Sequence, residues 1–130
     1  MTPERAAGAH ELAGRWAKAN QFAEAAELLR DDATDTTDLA DAFVTLAIHA
    51  GIAAADVICI AKLGRYAPTG SHDESIRTLK QADPDAAKHL SRLLSIKTKA
   101  GYTYHPVSRD EIATAIRAYR ALLEIASAAR

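Results

Sequence analysis

Within the ten residues Lys97-Thr98-Lys99-Ala100-Gly101-Tyr102-Thr103-Tyr104-His105-Pro106 the chain gathers two cations, two tyrosines and an imidazole. Lysines so placed would hold a phosphate while a tyrosine face stacks a base. A structural reading stands beside that one, in which Tyr102 buries its ring and hydrogen-bonds back into the protein while the lysines favour a helix C-terminus. A second concentration of chemistry is Asp56, a carboxylate inside an almost wholly apolar run. Such a group must find a partner or raise its pKa. His49 lies seven residues earlier, on the same face of a helix. Asp56 is either half of a structural ion pair or hydrogen bond to another helix, or an acidic residue lining a polar cleft.

Several chemistries are excluded. The chain has no glycine-rich phosphate loop, no cysteine pair for zinc, no H-E-x-x-H and no G-x-S-x-G elbow. His10, His49, His72, His89 and His105 form no close metal-binding pair, so neither a metal nor a cofactor is expected. Cys59, alone, cannot form an intramolecular disulfide; it fits a reducing compartment and the role of a small core residue. Sixteen Lys and Arg against seventeen Asp and Glu leave no global field toward nucleic acid or anionic lipid. The distribution is uneven. Residues 1 to 65 hold six basic and ten acidic side chains, and residues 66 to 130 hold ten and seven, which reads either as an ordinary solvated surface or as a modest basic face near the C-terminal half.

The elements that must position these groups read as helices throughout, and 130 residues make one domain, 1 to 130. Pro3 and Glu4 suit a helix start. Leu12, Trp16, Ala19, Ala23 and Ala26, joined by Phe22 and Leu29, form an apolar stripe, with Glu11, Arg15, Lys18 and Glu24 expected to point away. This predicts a first helix over about 3 to 30. The acidic, Thr-rich link from Asp31 to Thr37 offers N-cap oxygens for a second helix over about 38 to 64. Asp41, His49, Gly51, Asp56 and Lys62 interrupt its apolar run, which argues for the central helix of a bundle and against a membrane span. Gly64 marks its stop.

Ser71-His72-Asp73-Glu74 is a capping box opening a short helix over about 72 to 81. Asp83-Pro84-Asp85 starts a fourth over about 84 to 100, with Leu90, Leu93 and Leu94 inward and Gly101 suited to the left-handed residue that ends it. Ser108-Arg109-Asp110-Glu111 is a second box, and Ile112, Ile116, Tyr119, Leu123 and Ala126 carry the last helix over about 109 to 129. No alternating β-branched run is present. The fold class is therefore all-α, a four- to five-helix bundle of up-and-down antiparallel long helices with one short one. The segment after Met1 is Ala-rich and amphipathic, without the apolar core of a secretory signal, and a cytoplasmic protein is expected.

In its order of pieces the chain resembles the HEPN domain family of small helical proteins. The resemblance rests on His49-Ala50-Gly51-Ile52-Ala53-Ala54-Ala55-Asp56 through Leu63-Gly64, then His72-Asp73-Glu74-Ser75-Ile76 opening the next helix. It continues with Leu93-Leu94-Ser95-Ile96-Lys97-Thr98-Lys99-Ala100-Gly101-Tyr102 and ends in Ser108 before a regular amphipathic helix. Many members of that family look like metal-independent ribonucleases with an Arg, four to six residues, then His, at a dimer cleft. Lys99 and His105 imitate that spacing, but Lys replaces Arg and lacks its planar fork, and Pro106 follows. The segment looks closer to the branch without the nuclease pair.

The resemblance implies a non-catalytic binding or interaction module, HEPN-like, with Asp56, Lys97, Lys99 and Tyr102 around a polar cleft. A homodimer is expected from the family and from the apolar excess of the second helix. Nucleotides, RNA or a companion nucleotidyltransferase, as in toxin and antitoxin pairs, are the implied partners. The alternatives are a toxin-like metal-independent endoribonuclease using Lys99 and His105, and a purely structural helical adaptor.

Overall fold

The computed structural model describes residues 5–35, 39–67 and 71–130. It is an all-α bundle of five helices, α1 (Ala9–Asp35), α2 (Ala40–Leu63), α3 (His72–Ala82), α4 (Pro84–Tyr102) and α5 (Arg109–Ala129). One antiparallel pair of two-residue strands, β1 (Arg5–Ala6) and β2 (Arg65–Tyr66), accompanies them.

Register explains how α1 and α2 are joined. Arg5 pairs with Tyr66 and Ala6 with Arg65, and the Ala7 N–H donates to the Gly64 carbonyl. Further along, Arg15 meets Asp56 and the Phe22 ring lies 5.3 Å from that of His49. Each step forward on one arm is matched by an equal step back on the other. The strands and the two helices are thus one continuous antiparallel hairpin.

The expectation that helix one begins near Pro3 is corrected, because the helix starts at Ala9. Glu11 Oε1 accepts from the Gly8 N–H at 3.0 Å, and the Leu12 N–H donates to the Gly8 carbonyl. Those bonds set the first turn, leaving Arg5 and Ala6 free to pair as a strand. At its other end α1 continues to Asp35, so the link expected from Asp31 is helical in its first part. Pro3, Glu4, Thr36, Thr37 and Asp38 lie outside the described residues.

Leu39 caps α2 without a side-chain hydrogen bond, and Asp41 reaches instead to α5's approach, accepting from the Val107 N–H at 2.9 Å. Gly64 ends the helix at φ 70°, a left-handed residue as expected. Gly101 does not play that part. The α4 helix runs through it to Tyr102, and the Thr103 hydroxyl donates to the Lys99 carbonyl at 3.1 Å, so a side chain closes the end. Asp83 caps α4 with Pro84 behind it, and Ser108 with Glu111 forms the full reciprocal box on α5.

Between its neighbours α2 is buried on several sides, packing against α1, α3, α4 and α5. By length and composition it could cross a membrane, but most of its apolar window is buried within the bundle. Phe43, Val44, Ala47, Ala50, Ala53, Ala54, Val57 and Ile58 are wholly shielded. Small residues bring the helices close. A Cβ at Gly51 would fall 2.3 Å from Leu93 Cδ1 and 3.3 Å from Leu122 Cδ1.

Candidate functional site

Opposite the α5 side of this core, α1, α2, α3 and α4 surround a cavity of about 290 Å³, close to the lower bound of small-molecule sites. Ile52, Ala55, Cys59, Leu90 and Leu94 make its apolar floor. Arg15, His49, Asp56, His72 and Lys97 are its acidic, basic and imidazole side chains, and Tyr66 and Ala67, from β2 and just beyond, add to the wall.

Helical spacing brings these groups together. His49, Ile52 and Asp56 recur at three and four residues along α2 and therefore share a face, as do Leu90, Leu94 and Lys97 on α4. Arg15 comes from α1, its Nε donating to Asp56 Oδ2 at 2.9 Å. The Asp56 side chain is only 14 % exposed. Burial pushes its carboxyl up to about 7, against the pull of Arg15. Desolvation outweighs the ion pair because a charge in this cavity loses more hydration than one partly exposed guanidinium returns.

The His49 imidazole is held below its ordinary range by burial first, then by Lys97 and Arg15, so it is neutral at pH 7. Lys97 has no acidic partner among the described residues. The cleft thus offers one uncompensated cation, one neutral imidazole and a carboxylate already tied to an arginine. A smaller recess of about 130 Å³ adjoins it through His49 and Lys97, lined also by Thr45, Ile48, Gly101 and Tyr102. The Tyr102 ring is 78 % exposed, so the expectation that it buries itself in the bundle is corrected.

Asp56 and Lys97 therefore meet in one cleft, with Tyr102 in the recess that adjoins it. Lys99 turns elsewhere, its Nζ donating to Glu111 Oε1 at 2.8 Å. His105 is exposed and its ring lies 4.1 Å from that of Tyr104. Neither Lys99 nor His105 lines the cleft. The partner of Asp56 is Arg15 and not His49, which shares the cleft without pairing with it.

Arg15 was assigned to the outward face, yet it falls three residues after Leu12 and four before Ala19, within the stripe's own spacing. That spacing is the signal that could have found it. His72, read only as part of a capping box, also lines the cleft.

No protein-family model matches this chain, and no curated protein is significantly similar to it.

Proposed function

We propose that the protein is a non-catalytic, HEPN-like binding module whose ligand lies in the cleft between α1, α2, α3 and α4. The observation that carries this is the convergence of Arg15, His49, Asp56 and Lys97 from three helices on one cavity with an apolar floor. The ligand brings an anionic group to Lys97, which no carboxylate among the described residues neutralises. It brings a flat group to the adjoining recess, where the open Tyr102 ring supplies a stacking face. A nucleotide, free or at the end of an RNA strand, joins both features, and a companion nucleotidyltransferase would be one source of it.

The ribonuclease alternative has less support, because Lys99 is engaged by Glu111 and His105 stands apart from the cleft. Homodimerisation would have to use a face other than α2, whose apolar excess is covered within one chain. Leu28, 82 % exposed in a groove between α1 and α5, is one apolar group available for it.

Calorimetric titration with AMP and with a short single-stranded RNA, EDTA present, tests the proposal. Saturable binding that Lys97→Ala weakens at least about tenfold, as expected on losing a charged hydrogen bond, supports it. The absence of binding to either ligand refutes it, as does RNA cleavage that disappears in Lys99→Ala and His105→Ala.

A further inference from the structure

A second cavity, of about 540 Å³, opens between α4 and α5, away from the cleft, and its lining is His89, Arg92, Thr114, Arg117 and Ala118. His89 and Arg92 stand three residues apart on α4, and Thr114 and Arg117 three apart on α5. Each pair shares a helix face, and the two helices pack together, so two short ladders of polar side chains border one space. Among the described residues no carboxylate lines it. Neither Arg92 nor Arg117 has an ion-pair partner among the described residues, although the other lining groups leave their like charges uncompensated.

The imidazole adds direction. His89 Nδ1 is shut away from solvent with no hydrogen-bond partner. With Nδ1 shut away, Nε2 is the ring nitrogen left to meet a ligand, and it can carry hydrogen. Nε2 is then a donor, as are two guanidinium forks and, at need, the Thr114 hydroxyl. Donors without a facing acceptor are the complement of an oxyanion. Two guanidinium forks facing one space suit the oxygens of a phosphate, which arginine binds in a planar, bidentate way.

We propose that His89, Arg92, Thr114 and Arg117 form a second ligand site, separate from the α1–α4 cleft, that takes a phosphoryl group. The group belongs either to a small phosphate or to the backbone of a nucleic-acid strand. The test is calorimetric titration of the full chain with pyrophosphate and with a single-stranded RNA oligomer lacking terminal phosphates. Wild type, Arg92→Gln/Arg117→Gln and Lys18→Gln, which removes an exposed charge on α1 outside both sites, are compared. The expected result is that at least one probe binds wild type, that the double arginine variant weakens it at least about tenfold, and that Lys18→Gln retains it. Binding of pyrophosphate identifies a small phosphate as the source, and binding of the oligomer alone identifies the strand. His89→Phe, which keeps the ring and removes the donor, weakens the same probe in a chain whose folding is checked by its melting curve. The site is disproved if neither probe binds wild type, if the double variant binds as wild type does, or if Lys18→Gln weakens binding as much as the double variant.

Discussion

Arg15 on α1 reaches across the hairpin to Asp56 in the middle of α2, with Nε and Oδ2 2.9 Å apart, yet the carboxyl stays near pKa 7. The pair is a contact between a buried acid and a half-open base, in which hydration lost by the acid outweighs the attraction.

A pH dependence follows. The folded protein holds the Asp56 proton up to about 7, whereas the unfolded chain releases it near the ordinary 3.8. Between those limits the folded state binds more protons, so raising the pH costs stability, and above 7 the effect levels off. His49, whose folded value is lowered, works in the opposite sense below 6.5. Glu27 and Glu111, also lowered, act only below their ordinary 4.5. The readout is therefore the difference between wild type and Asp56→Asn in urea unfolding at pH 5 and pH 8. The variant gains stability relative to wild type on going to pH 8, and an unchanged difference would show that Asp56 is not buried as described.

Two glycines in helices should respond in opposite directions. At Gly51 a larger side chain meets Leu93 and Leu122, both fully buried, so Gly51→Val should destabilise by about 1 to 3 kcal/mol through overpacking. At Gly14, where a Cβ meets nothing, Gly14→Ala should stabilise by up to about 1 kcal/mol through helix propensity. Thermal melts of both variants check the pair of signs.

Asp41 holds the chain ahead of α5 through the Val107 N–H, and Val107 is itself buried. Asp41→Ala leaves that donor without its partner and should cost about 1 to 3 kcal/mol in denaturant unfolding. Asp41→Asn, which keeps an acceptor oxygen, should recover most of the loss.

The two N-caps should also differ. Ser108 and Glu111 bond reciprocally, so Ser108→Ala should cost about 1 kcal/mol. Ser71 accepts from the Glu74 N–H at 3.4 Å while the Glu74 carboxylate turns to Arg77. Ser71→Ala should therefore cost less, and comparison of the two melting temperatures decides it.

Periodicity and capping residues made the helices legible. Ser108, Asp83 and Gly64 act locally, through bonds within a turn, and so can be read from neighbours in the chain. Gly101 misled because glycine permits a left-handed stop without requiring one, and the Thr103 hydroxyl supplied another ending. Asp56 announced itself by being charged in an apolar run, but the choice of Arg15 over His49 depends on how two distant helices are matched. Lys99 and Lys97 look equivalent in sequence. Two residues of helix rotation send one to Glu111 and leave the other in the cleft.

Of the cleft's walls, one is not helical. Tyr66 is held there by the ladder that Arg5 and Ala6 make with β2, with Ala7 bonded to Gly64 just behind. The start of the described chain therefore acts as a clasp on the cavity, fastened some sixty residues along. Breaking the pairing of Arg5 and Ala6 with β2 would unfasten Tyr66 without removing a hydrogen bond from any helix, so the cleft's non-helical wall depends on a segment far from it in the chain.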